Sequence, residues 1–251
     1  AFMDLNGAVA VVTGGSGGLG GRICHFLAAA GAKVAVLYDQ GREQAESLVD
    51  ELAGGGSVAE AIHCDVTDPD KVDSMVAQVL TSFGRLDILV NDAGYNKWIP
   101  FDDIEALTYE DWNKLIDVNL TGPMLTIKAA SRPMKAQGGG RIVNISSVAG
   151  IAPTGSSIGY AVAKSGLIHL TKCMAVGLAP DILVNCISPG YLEGTKMSTN
   201  LAPKYQKAAV EGALLQRAAD KDDIARQVVA FCATDSITGQ TLAIDSGRVF
   251  H

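Results

Sequence analysis

Seven short apolar runs recur along the chain, and a stretch of helical period separates most of them. They are "AVAVVTG" (8–14), "KVAVLYD" (33–39), "VAEAIHCD" (58–65), "LDILVND" (86–92), "RIVNISS" (141–147), "ILVNCIS" (182–188) and "QTLAID" (240–245). Runs that are apolar on both faces suit parallel strands covered by helices above and below. The helical stretches begin with "GLGGRICHFLAAAG" (18–31) and continue at 41–53, 68–83, 108–136, 156–178, 201–213 and 220–233. The third opens on Asp68-Pro69, a capping side chain followed by Pro at the first helical position. The "GGG" triplets at 54–56 and 138–140 read as turns between helix and strand. Strand and helix alternating from end to end predict an α/β fold with one doubly wound, mostly parallel seven-stranded sheet. With no linker or composition break, residues 1–251 read as a single domain.

Charge and rare residues narrow the function. The net charge of −7 argues against a nucleic-acid partner, which requires a basic face for phosphates. Cys24, Cys64, Cys173, Cys186 and Cys232 are odd in number and lack C-x-x-C spacing, so they read as reduced core residues of a cytoplasmic protein. His25, His63, His169 and His251 have no ligand spacing, and no metal is expected. No apolar run approaches the roughly 18–20 residues of a membrane span, and "AFMDLNGAVAVVTGG" does not read as a signal segment. A soluble protein acting on a small molecule is the expectation.

"VVTGGSGGLGGRI" lies between the first strand and the first helix, the context a dinucleotide site requires. Gly14, Gly18 and Gly20 allow the backbone to approach a pyrophosphate, whose charge suits the unpaired N–H groups of a helix start. About 20 residues further, Asp39 ends the second strand. A carboxylate there accepts hydrogen bonds from ribose hydroxyls and repels a 2′-phosphate, which favours NAD. The alternatives are that Asp39 caps the next helix, and that nearby Arg42 brings NADP into play.

In "GYAVAK", Tyr160 and Lys164 share one helix face, one turn apart. Hydride transfer to a carbonyl builds negative charge on oxygen and calls for a positioned acid. Free tyrosine, at about pKa 10, is a poor proton-transfer partner near neutrality. A neighbouring ammonium should lower that value.

The spacing Thr-Gly-x-x-x-Gly-x-Gly, followed by "DVNLTG" and by Ser147 thirteen residues before Tyr160, resembles the short-chain dehydrogenase/reductase family. The resemblance runs through nearly the whole chain to "ITGQTLAIDSG" and implies a Rossmann-type domain. It implies a catalytic set of Asn119, Ser147, Tyr160 and Lys164: Ser147 orients the substrate oxygen, Tyr160 is the acid or base, Lys164 also binds the nicotinamide ribose, and Asn119 holds a water. For the cofactor it implies Thr13, Gly14, Ser16, Gly18, Leu19 and Gly20 at the turn, and Asp65 and Val66 at the adenine. Asn91, Ala93 and Gly94 of "NDAG" would wall the site, and Pro189, Gly190, Leu192 and Thr195 would meet the nicotinamide end. Tyr95, Trp98 and Met197, with Leu192, fall on loops at the strand C-terminal ends, where they would line an apolar or aromatic substrate pocket beside Ser147 and Tyr160.

Several positions depart from the family pattern. Asp92 replaces an amide and adds a charge that needs partners. The loop after the sixth strand has Gly194 where threonine is usual, with Thr195 one later. "GLAPDILVN" and "ATDSITGQ" are short connectors, and Gly177 interrupts a long helix at a cost of about 1 kcal/mol. Lys128, Arg132 and Lys135 form a basic helix face that reads as solvated surface, not as a dock for an acidic carrier protein. The expectation is an NAD-dependent oxidoreductase interconverting a secondary alcohol and a ketone, homotetrameric by resemblance. Its rivals are an NADP-dependent 3-oxoacyl-carrier-protein reductase and a non-catalytic dinucleotide-sensing protein.

Overall fold

The computed structural model describes residues 3–250, so Ala1, Phe2 and His251 lie outside the described residues. The strands are β1 Val9–Thr13, β2 Lys33–Tyr38, β3 Ala59–His63, β4 Ile88–Asn91, β5 Gly140–Ile145, β6 Ile182–Pro189 and β7 Thr241–Ile244. The helices are α1 Gly18–Ala29, α2 Arg42–Gly54, α3 Pro69–Phe83, α4 Tyr109–Ile116, α5 Gly122–Ala136, α6 Ile158–Leu178, α7 Lys196–Thr199, α8 Pro203–Glu211 and α9 Lys221–Ala233. The strands form one sheet in the order β3-β2-β1-β4-β5-β6-β7. Every pairing is parallel, so the sheet expected to be mostly parallel is parallel throughout.

The doubly apolar runs explain the two layers. Ala10 and Val12 of β1 face a core shared with Ile23, Leu27, Val228 and Phe231 under α1 and α9. Their neighbours Val9 and Val11 face the opposite core, with Met75, Val79, Ile127 and Met134 under α3 and α5. Burying such side chains contributes about 1.5–3 kcal/mol each, so neither face of β1 tolerates a polar residue cheaply. Arg22 of α1 and Asp222 of α9 lock the first layer with paired bonds of 2.7 and 2.9 Å.

The predicted helix 108–136 is interrupted. Residues Asp117–Thr121 form a π-helical turn between α4 and α5. Pro123 has no N–H to offer the Asn119 carbonyl four residues back, which loosens the backbone ladder there. The predicted helix 201–213 contracts to α8, and the short α7 precedes it, capped by Thr195 and Ser198. From β1 the chain winds outward to β3, then returns to β4 on the other side of β1. At such a reversal the connections leave in opposite directions and open a crevice at the strand C-terminal ends.

Candidate active site

A cleft of about 570 Å³ occupies that crevice. One wall begins at the glycine turn, where Gly14, Ser16, Gly18 and Leu19 line it. Gly14 takes φ +64°, and a Cβ there would stand 2.9 Å from the Ala93 Cα. A Cβ on Gly20 would collide with the Gly14 carbonyl. Gly20 thus sits behind the cleft wall, where its missing side chain brings α1 against the turn. Thr13 is also behind the wall: its Oγ1 accepts from the Asp92 and Ala93 N–H groups at 3.1 and 3.0 Å.

Asp39, Asp65 and Val66 line one end of the cleft. Asp39 does not cap α2, whose N-cap is Gly41 with no side-chain bond. Arg42 is held by Glu46 at 2.7 Å on an exposed face. His63 Nε2 lies 3.7 Å from Asp39 Oδ1. Asp65 accepts from both the N–H and the hydroxyl of Thr67, which holds its carboxyl below the usual range.

Ser147, Tyr160 and Lys164 meet at the middle of the cleft. Ser157 caps α6 by accepting from the Tyr160 N–H at 3.2 Å, which fixes the turn carrying the phenol. The Ser147 Oγ accepts from the Ala149 N–H at 3.1 Å, and its interaction with the Tyr160 phenol favours loss of the phenolic proton. The Lys164 ammonium donates to the Ile145 carbonyl at 2.9 Å and stands 5.8 Å from the Tyr160 ring centre. Burial pushes the Tyr160 phenol above its ordinary value, and Ser147 only partly opposes this. The downward displacement expected from Lys164 is therefore corrected. Its own burial weakens the ammonium, bringing Lys164 to about 8, with Asp92 opposing the fall.

Asp92 finds partners that the sequence did not disclose. The Gly20 N–H and the Lys164 ammonium favour its charged form, yet burial dominates and raises the carboxyl to about 8. Asn119 is fully buried behind this region. Its amide donates to the Tyr95 and Leu115 carbonyls at 2.7 and 2.8 Å, and its oxygen accepts from the Tyr95 N–H at 3.2 Å. The π-helical turn brings Asn119 to Tyr95, one residue after Gly94, where a Cβ would be 3.2 Å from the Asn119 oxygen and 3.7 Å from Lys164 Nζ.

Ala93, Gly94, Tyr95, Pro189, Gly190, Leu192, Thr195 and Met197 all reach the cleft. Besides Thr13, Gly20 and Asn119 behind the wall, Asn91 and Trp98 do not reach it. Asn91 is buried in the sheet, donating to Asn144 at 2.9 Å and accepting from Thr126 at 2.7 Å, so its amide is consumed by a cross-strand tie. Trp98 packs edge-on against Tyr205 at 5.4 Å, and Tyr205 takes the place at the wall. Lys114, Ser156, Tyr205 and Arg248 also line the cleft, and sequence reasoning missed them. Only a residue-by-residue aromatic or charge scan of distant segments could have raised them, with no spacing to connect them.

A family model described as short chain dehydrogenase matches residues 8–206. The chain belongs to this family. As a short-chain dehydrogenase it is an oxidoreductase. It is 38% identical over 250 residues to a 3-oxoacyl-[acyl-carrier-protein] reductase of Synechocystis sp., covering 98% of each chain. Among solved structures it is similar to a short chain dehydrogenase from Burkholderia cenocepacia in complex with NADP, with TM-score 0.89, 35% identity and 98% and 99% of the two chains covered. It is also similar to the NADPH-dependent 3-quinuclidinone reductase of Rhodotorula rubra, with TM-score 0.91, 27% identity and 98% and 92% covered. The family's NAD(P) fits the observed cradle, where Gly14, Gly17 and Gly18 line the cleft without side chains at the start of α1. Among the described residues no cluster of three His, Cys, Asp or Glu could hold a metal, and no helix is long and apolar enough to cross a membrane.

Proposed function

We propose that this short-chain dehydrogenase interconverts a secondary alcohol and a ketone with NAD, Tyr160 serving as general acid and base. The observation that carries the reading is that Tyr160, Ser147 and Lys164 line the same cleft as the glycine turn. When bound, the nicotinamide supplies or accepts the hydride. Ser147 holds the substrate oxygen beside Tyr160. In the reducing direction Tyr160 gives that oxygen its proton, and in the oxidising direction it takes the proton back. A phenol raised by burial is protonated at neutral pH, which suits donation. Lys164 steadies the negative charge as the proton leaves. Asn119 holds Tyr95 and the π-helical turn in place around this centre.

Asp39 at the cleft wall, with Arg42 already paired to Glu46, supports NAD over NADP. The Synechocystis relative's name and the NADP in the Burkholderia neighbour favour a second reading, an NADP-dependent 3-oxoacyl-carrier-protein reductase. Steady-state kinetics with NADH and NADPH over a ketone panel separate the two. The proposal expects kcat/KM at least about tenfold higher with NADH, and Asp39→Ala should erase most of that margin. Equal or better use of NADPH by the unaltered chain would reject NAD.

A further inference from the structure

The cleft is electrically divided. Its acidic side chains, Asp39, Asp65 and the proton-retaining Asp92, follow β2, β3 and β4 around the coenzyme side. The rest of the lining contributes no carboxylate, but besides Lys164 it contributes Lys114, Lys196 and Arg248, of which Lys114 and Arg248 are the two candidates for the substrate. Neither cation has an ion pair among the described residues. For Lys114 the near acid is Asp111, whose two oxygens are taken by Lys97 at 2.8 and 2.7 Å. Its ammonium instead stands 4.5 Å over the Tyr95 ring, which packs against the cluster holding Tyr160. Arg248 is fixed differently. Its Nη1 donates to the Ala208 and Ala209 carbonyls at 3.0 and 3.4 Å, near the end of α8. The rest of the guanidinium has no protein acceptor among the described residues.

A third group lining the cleft is unpartnered. The Ser156 hydroxyl is buried with no hydrogen-bond partner, a costly state unless something accepts from it or donates to it. The backbone around it is occupied: the Ser156 carbonyl accepts from the Ile99 N–H, and the Gly155 N–H goes to the Tyr205 hydroxyl at 2.9 Å. A lining with Lys114, Lys196 and Arg248, no carboxylate beyond the three aspartates and a spare hydroxyl is unusual in a chain of net charge −7. An uncharged ketone gives these groups no role. An anion does, because a fixed guanidinium offers paired N–H donors to carboxylate or phosphate oxygens.

We propose that the substrate carries an anionic group, a carboxylate or a phosphate, and that Arg248 and Lys114 hold it while Ser156 completes its hydrogen bonding. This rests on the oxidoreductase reading of the same cleft. It makes Arg248, three residues from the chain's last residue, a determinant of specificity.

The test compares 3-oxobutanoate, its methyl ester and dihydroxyacetone phosphate as substrates of the full chain with NADH and with NADPH. The expected result is kcat/KM about 10- to 100-fold higher for one of the anions than for the ester, with the preference falling as salt is raised. The preferred anion tells carboxylate from phosphate. Arg248→Met and Lys114→Met should each lower kcat/KM for that anion at least about tenfold more than for the ester, chiefly through KM. Equal use of acid and ester, or equal losses on both in the variants, would overturn the proposal. Calorimetry on the coenzyme-loaded protein keeps the two readings apart. If no probe is turned over, binding decides the anion site: binding of an anion that Arg248→Met abolishes supports it and absence of such binding overturns it, whereas the alcohol–ketone reading fails only if no ketone of the wider panel is reduced. Circular dichroism of each variant shows whether a loss comes from misfolding.

Discussion

Replacing Asp92 with asparagine should change how stability depends on pH. The carboxyl ionises near 3.8 when unfolded and at about 8 in the cleft, where burial outweighs the Gly20 N–H and Lys164. Between those values the native state keeps a proton that the unfolded state has lost. The Asp92 contribution to stability is therefore present at low pH and is lost as pH rises from about 4 to about 8. From pH 5 to pH 8 the ceiling is three pH units at about 1.36 kcal/mol each, or roughly 4 kcal/mol. Asp92 also lines an open cleft, and water relaxation there should halve the effect to about 2 kcal/mol. Asparagine does not titrate, so the variant's advantage over the parent should grow by that amount between pH 5 and pH 8. Loss of the carboxylate also drops Lys164 below about 8, which stabilises the variant further as pH rises, in the same sense. For a chain of this length 2 kcal/mol is about 4–8 °C in Tm. Thermal melts of both proteins at pH 5 and pH 8 measure it, and titrations common to both cancel in the difference. A Tm gap that is the same at both pH values would refute the burial argument.

Gly20→Ala should press a methyl group onto the Gly14 carbonyl, costing about 1–3 kcal/mol and weakening coenzyme binding at least about tenfold. Fluorescence titration with NADH measures the affinity, and an unchanged Kd would show that the glycine cradle does not hold the coenzyme. Asn119→Ala should strand the Leu115 carbonyl and both polar groups of the Tyr95 backbone, costing about 1–3 kcal/mol. Chemical denaturation reads that loss, and a variant within about 0.5 kcal/mol of the parent would contradict the role given to the π-helical turn.

What could be read from the residues was what neighbours along the chain decide. Asp68 accepts from the Asp70 and Lys71 N–H groups because cap, Pro and helix are adjacent in sequence. The strands were legible because burial on both faces makes them runs of mostly apolar residues. The glycine turn was legible because strand, turn and helix follow without interruption. What escaped depends on partners far along the chain. Asn91 meets Asn144 only through the β4–β5 register, so its withdrawal from the cleft leaves no local trace. Trp98 yields to Tyr205, more than a hundred residues later. Lys164 sits at the expected spacing, yet the depth that weakens its ammonium comes from the sheet packed beside it. Arg248 enters the cleft from the far end of the chain.

The central claim is that Tyr160 moves the proton in a coenzyme-dependent hydride exchange. Single-turnover reduction by Tyr160→Phe, with NADH bound beforehand and the ketone the parent uses best, tests it most directly. The account predicts hydride transfer slowed by about 10²–10⁴ with the Kd for NADH within about twofold of the parent. Transfer at close to the parent's rate, with NADH bound equally well, would contradict it.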